Sequence, residues 1–217
     1  MHRYSMIDLA SLQYEPQDGL VFRELSGGDY QAFGRLLTVQ KMKEPVFEPV
    51  FDIPEAQERL KKGGYCFVCE DNGCVVGYTW FASRERYLME IQATIKLQEG
   101  QAYAYHAYVM SEYRGSNIFR SLLITGARVL YHRGFTGGLA MAMKWNKASR
   151  NILSKVGFSE IGFLIVGYFL SFRYLINTCA GVALLREAGP FEFYRKLFGK
   201  FTAVFSRAGT AMRMWLV

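Results

Sequence analysis

Two short stretches carry residue types at spacings that could do chemistry. The first is Arg114-Gly115-Ser116-Asn117-Ile118-Phe119-Arg120. A polar turn feeding a helix leaves several backbone N–H groups unpaired, and the helix dipole adds positive potential at the same end. Arg114 and Arg120 add full charges. That combination favours an anion, such as a phosphate. Taken alone, an ordinary strand-to-helix turn reads the same way. The second stretch runs from Asn146 through Ser149 to Gly157-Phe158. Asn146 is a natural helix N-cap and Gly157 a natural C-terminal stop.

Proton transfer has its own candidates. His106 lies between Tyr105 and Tyr108, and histidine titrates nearest neutral pH of the common side chains. It is a candidate base or water relay; the competing reading is a satisfied histidine in an aromatic strand. On a regular strand, His106 would share a face with Tyr108 and Met110, with Tyr103 and Tyr105 on the other. Further upstream, Glu44, Glu48 and Asp52 interleave with Phe47 and Phe51 in a segment broken by Pro45, Pro49 and Pro54. Acidic and aromatic groups suit an amine with an apolar body. A solvated loop whose Phe residues reach the core is the plainer alternative.

These residues need elements to hold them. Tyr103 to Met110 is aromatic and β-branched and predicts a strand. Ile118, Phe119, Leu122, Leu123, Ala127 and Leu130 recur at helical spacing, predicting a helix to about Arg133. Phe135 to Lys144 predicts a second strand, and Ile152, Leu153 and Val156 form one face of a second helix. Earlier, Leu20 to Leu25 reads as a strand, and Tyr30, Phe33, Leu36 and Leu37 as a helix face. Glu55 to Lys62 reads as a short helix stopped by Gly63-Gly64. Tyr65 to Glu70 and Cys74 to Phe81 read as strands joined by Asp71-Asn72-Gly73, a strong hairpin signal. Tyr87 to Leu97 alternates apolar and polar residues and predicts one half-buried strand. The order predicts an α/β (α+β) domain: a mixed sheet, antiparallel in its first half, flanked by helices.

With those elements in place, the chain resembles the GNAT superfamily of acyl-CoA-dependent N-acyltransferases. Members carry a strand, an Arg/Gln-x-x-Gly-x-Gly/Ala turn and a helix, then Asn-x-x-Ser/Ala ending in Gly-Phe. Arg114 fills the first position. Asn117 stands where the first glycine is usual, as the next-best residue for a left-handed backbone. Phe119 stands where the last Gly or Ala is usual. Asn146, Ser149, Gly157 and Phe158 match without gaps. The resemblance spans about Leu20 to Phe169.

The resemblance implies that the strands Tyr103–Met110 and Phe135–Lys144 splay apart. An acyl-CoA co-substrate would enter between them, its pantetheine arm against Tyr108, Val109 and Met110. Its pyrophosphate would rest on Arg114, Gly115, Ser116, Asn117, Ile118, Phe119 and Arg120, with Asn146 and Ser149 lining the same wall. The implied activity is transfer of an acyl group, an acetyl group first among them, to a primary amine of a small molecule or sugar, by direct attack in a ternary complex. Acyl transfer needs a positioned carbonyl, a deprotonated amine and a donor for the oxyanion. His106, Tyr105 and Glu48 are the catalytic candidates. The tyrosine that many members use as general acid is replaced by Leu153. Alternatives stay open: a GNAT-like module that binds CoA or a partner without turnover, or a long-chain acyltransferase at a membrane surface.

Composition bounds the rest. The chain has 217 residues and a net charge of +7, which fits an anionic ligand or surface. It has no run of five Lys/Arg and no zinc-finger or RNA-binding signature, so nucleic acid is not expected. Met1 to Tyr14 lacks the apolar stretch of a signal peptide, and a cytoplasmic address is expected. Cys66 and Cys69 form a CxxC in a predicted strand, where they point to opposite faces and cannot share a metal. No metal is expected. Phe158 to Ile176 is very apolar but reaches Ser171 and Arg173 short of the roughly 18–20 residues of a helical span; it reads as a long strand or a bent pair. Pro190 to Ser206 places Phe191, Tyr194, Leu197, Phe198, Phe201, Val204 and Phe205 on one face of a basic amphipathic helix. That face could meet the inner membrane surface, a second subunit in a homodimer, or its own core. The expected organisation is an arm over 1–18, the acyltransferase-like domain over 19–178, and a helical extension over 179–217.

Overall fold

The computed structural model describes residues 19–44, 51–88, 91–169, 172–179, 182–186 and 209–216. The arm over 1–18, Glu48 and the helix expected over 190–206 lie outside them. The chain opens with β1 (Leu20–Glu24), α1 (Tyr30–Lys43) and α2 (Ile53–Lys61). An antiparallel series follows: β2 (Gly64–Asp71), β3 (Cys74–Ala82), β4 (Arg86–Leu88), β5 (Ala93–Lys96) and β6 (Gln101–Val109). Then come α3 (Ile118–His132), β7 (Gly137–Met143), α4 (Lys147–Val156), β8 (Ser159–Phe169) and β9 (Phe172–Asn177), with β10 (Ala183–Arg186) and β11 (Gly209–Leu216) in the C-terminal part.

The main sheet has eight strands in the order β1-β2-β3-β6-β7-β11-β8-β9, and β10-β5-β4 form a second sheet. Among the described residues only β6 and β7 pair in parallel, because α3 carries the chain back across the sheet between them. The sheet is therefore mostly antiparallel, with helices on both faces, as the sequence predicts. On one face, α3 and α4 cover Phe67, Val76, Phe81, Ala104 and Ala142. On the other, Phe33, Leu36, Leu37 and Ala56 of α1 and α2 meet Val68, Tyr78 and Trp80. Cys66 belongs to the second cluster and Cys69 to the first, so the CxxC does straddle the sheet. Gly126 lets α3 close on β3: a Cβ there would stand 2.4 Å from the Phe81 ring.

The β2–β3 hairpin turns on Asn72 and Gly73, both at positive φ, as the motif requires. Phe158 to Ile176 resolves into the bent pair, β8 and β9, reversing between Phe169 and Phe172. Tyr87 to Leu97 is not one strand. It reverses after Leu88, with Gln92 at φ +44, and Leu88 pairs back onto Ala93. Alternation survives a tight reversal, and no Gly or Pro marks this one, so the periodicity did not reveal it. In the C-terminal part, β11 inserts between β7 and β8, and β10 caps β5. Among the described residues no helix is long and apolar enough to cross a membrane.

Candidate active site

The turn between β6 and α3 is held from several sides. It opens with a short 3-10 turn, Ser111–Tyr113, whose N–H groups fold back on Met110 and Ser111. Lys43 at the end of α1 bonds Glu112, and the Tyr113 hydroxyl donates to Asp71 Oδ2 at 2.7 Å. Gly115 then takes φ +84, with nothing within 4 Å of where a Cβ would lie. The N–H groups of Gly115, Ser116, Asn117, Phe119 and Arg120 donate to no acceptor among the described residues. Arg120 Nε is buried without a partner. An open turn lined with free N–H groups at a helix start, with Arg120 in its first turn, fits a pyrophosphate.

Three details differ from expectation. Asn117 is not left-handed; its φ is −83, and Gly115 alone makes the reversal. Phe119 does not project into open space, since its ring packs against the core under α3. Arg114 is already engaged: it bonds Glu44, its Nε donates to Val109 O at 3.1 Å, and its guanidinium lies 5.7 Å from the Tyr108 ring centre.

Next to the turn, the sheet opens. β6 pairs with β7 only from Gln101 to Ala104, against Gly137 to Ala140. From Tyr105 onward β6 has no partner on that side among the described residues, although it still pairs with β3 through Val109. The cause is a bulge. Tyr78 faces Tyr108, and two residues along Trp80 faces Tyr105, so β6 carries one extra residue. His106 absorbs it at φ +44. Before the bulge the expected alternation holds, with Tyr103 and Tyr105 stacked, ring centres 6.0 Å apart; past it the extra residue breaks the alternation, and Tyr108 packs on the same cluster as Tyr105. Farther along the wall, Asn146 Oδ1 accepts from the Ser149 N–H at 3.0 Å, so Asn146 caps α4, and Gly157 ends it at φ +105. Leu153 is buried in the core on that helix.

At the bulge, His106 meets a residue that the sequence reading missed. Arg59 of α2 is only 5 % exposed. Its Nη1 lies 2.8 Å from His106 Nδ1. A guanidinium can only donate, so Nδ1 is the acceptor and the ring proton sits on Nε2. Burial first, then Arg59 and Arg86, push the imidazole pKa down to about 3. The ring is thus neutral, with one nitrogen taken and the other a donor. With Nδ1 occupied the ring is poorly placed as a base, while the Nε2 N–H can still serve a water relay. Glu55, one turn back, accepts from Arg59 Nε at 3.0 Å and from Nη2. Phe51 stacks on His106 and lies 4.1 Å under the Arg59 guanidinium. Arg86 also approaches Tyr105, its guanidinium 4.3 Å from the ring centre.

Of the acidic candidates, the two among the described residues are already engaged. Asp52 caps α2 by accepting from the Glu55 N–H at 2.9 Å. Glu44 bonds Arg114 and receives a longer contact, 3.4 Å, from the Tyr108 hydroxyl. Val109 O and the Met110 N–H are also used, by Arg114 and by Val76 O. The free edge of β6 is therefore centred on Tyr105 to Tyr108. Burial raises the pKa of both tyrosines, so their hydroxyls stay protonated. Arg59 had one legible signal. It falls three residues after Ala56, on the buried face of a short helix, where an apolar residue would be ordinary.

Residues 30–158 match the acetyltransferase (GNAT) family. Solved structures share the fold at low identity. An N-acetyltransferase from Staphylococcus aureus Mu50 is 17% identical, with a TM-score of 0.55 over 91% of this chain and 97% of that one. A ribosomal-protein-alanine N-acetyltransferase from Brucella melitensis is 18% identical, with a TM-score of 0.56 over 91% and 98%. A putative acetyltransferase from Salmonella typhimurium, solved with its cofactor acetyl-CoA, is 15% identical, with a TM-score of 0.56 over 91% and 92%. No curated protein matches the chain in sequence. The open strand pair, the free N–H turn and a match over more than half the length lead to one conclusion: this chain belongs to the acetyltransferase (GNAT) family.

Proposed function

We propose that the protein is an acyl-CoA-dependent N-acyltransferase, with acetyl-CoA the first donor to test, acting on a primary amine held in the same complex. The observation that carries this reading is the loss of β6–β7 pairing after Ala104, directly beside a turn with five free N–H groups. The thioester supplies the activated acyl group. The chain's own residues bind and position. Arg114, Gly115, Ser116, Asn117, Ile118, Phe119 and Arg120 would hold the pyrophosphate, with Asn146 and Ser149 on the adjoining wall. The unpaired edge of β6, centred on Tyr105 to Tyr108, would hold the pantetheine arm, with Val109 O joining it on release of Arg114 and Met110 bordering it.

Proton handling falls to the groups around the bulge. Glu44, 3.4 Å from the Tyr108 hydroxyl, is our choice to draw the amine proton through water. Glu48 keeps its place as the alternative carboxylate. Tyr108 and Tyr105, protonated, can donate to the leaving sulfur. His106 is a donor at Nε2 that fixes the bulge. Leu153, buried where a tyrosine is usual in the family, favours a second reading: a CoA-binding module without turnover.

The test is calorimetric titration with acetyl-CoA, longer acyl-CoAs and free CoA, followed by thiol release with a panel of amines. Micromolar binding weakened by Arg114→Ala, with CoA release on adding an amine, supports the enzyme. Binding without release supports the module. No binding of any acyl-CoA refutes both.

A further inference from the structure

We infer that the acceptor is an amine bearing a carboxylate, recognised at the mouth of the β6 bulge by Arg86 together with Arg59. The inference rests on the acyltransferase reading above and names its substrate class. Arg59 and Arg86 flank one ring, Tyr105, at 5.8 and 4.3 Å. Arg59 spends Nε, Nη2 and one Nη1 donor on Glu55 and His106. A guanidinium has five N–H groups, so two remain, one of them within reach of the Tyr105 hydroxyl. Arg86 forms no ion pair among the described residues, and Tyr105 and His106 beside it are only partly buried. Trp80, fully buried under Arg59, leaves Nε1 without a partner among the described residues. His106 adds an N–H at Nε2. The groups gathered here are donors, and a donor-lined site is completed by an acceptor.

Charge narrows the class. Arg59 and Arg86 carry two positive charges, Glu55 cancels one, and His106 is neutral, being pushed down to about 3. One positive charge remains, which matches a carboxylate better than a dianionic phosphate. The same balance argues against polyamines, which would place further cations between two arginines.

The test compares the twenty standard amino acids with their carboxamides. The amide keeps the amine and side chain, removes the charge, and copies the start of a peptide chain. Equilibrium binding to the protein–CoA complex is measured by calorimetry, separately from CoA release with acetyl-CoA. At least one acid should bind about tenfold or more tighter than its amide. Arg86→Ala should abolish that preference, and Arg86→Lys should keep part of it. Arg86 is chosen because Arg59 also supports the fold. Equal binding of acid and amide, tighter binding of the amide, or no binding of any amino acid overturns the inference. An acid preference lost in Arg86→Ala but without acyl transfer supports the site and instead refutes the enzyme.

Discussion

Replacing Glu44 by Gln should tighten the grip on free CoA. Arg114 heads the turn that would receive the pyrophosphate, yet it is tied to Glu44 and to Val109 O. A phosphate can recruit it fully only by breaking the pair with Glu44. The Glu44 side chain is 13% exposed and that of Arg114 48%. A half-exposed ion pair contributes about 0.2–1 kcal/mol, and the sheltered carboxylate argues for the upper end, about 1 kcal/mol. At roughly 1.4 kcal/mol per tenfold, losing that competitor lowers Kd about fivefold. Calorimetric titration with free CoA measures it. Arg114→Ala should weaken binding. In that background Glu44→Gln should have no further effect, because the two changes act through one contact. A gain that persists without Arg114 would mean only that a negative charge left the area. Unchanged or weaker binding in Glu44→Gln would refute the competition. If Glu44 also draws the amine proton, the same variant should bind CoA more tightly and turn over more slowly.

Other outcomes follow from single positions. His106 is held at about pKa 3 against an ordinary 6.5. Between those values the unfolded chain binds one proton more than the fold, so stability is full above pH 6.5 and is lost as pH falls toward 3. Urea unfolding at pH 7.5 and pH 4.5 should show His106→Gln to be less acid-sensitive than wild type by about 2–3 kcal/mol; equal pH dependence would mean the ring is not held neutral. Gly126→Ala improves helix propensity by about 1 kcal/mol but drives a Cβ to 2.4 Å from Phe81. Overpacking of about 1–3 kcal/mol should win, and an unchanged or higher Tm would contradict the packing of α3 on β3. Gly115→Ala meets no atoms, so its cost is the left-handed backbone alone, about 1–2 kcal/mol. Gly115→Asn should cost less in the same urea assay.

Much of this protein can be read without its structure, and the reason is that local patterns are local. Helical spacing from Ile118 to Leu130, the Asn146 cap, the Gly157 stop and the Asn72-Gly73 hairpin depend on neighbours in the chain, and each stands as expected. The same holds for the free N–H groups of the turn, which follow from any polar loop that starts a helix. Tertiary structure decided what lies between elements. The reversal after Leu88 leaves the alternation intact. The bulge at His106 depends on how β6 meets β3, and it places Tyr105 and Tyr108 on one face. Arg59 and Arg86, 27 residues apart in sequence, share the Tyr105 ring only once α2 and β4 are docked. Arg114 is sequestered by Glu44 from 70 residues upstream. A side chain's charge is written in the sequence. Whether that charge is buried, matched or left free depends on what the fold brings beside it, because desolvation and Coulomb energy are properties of the surroundings.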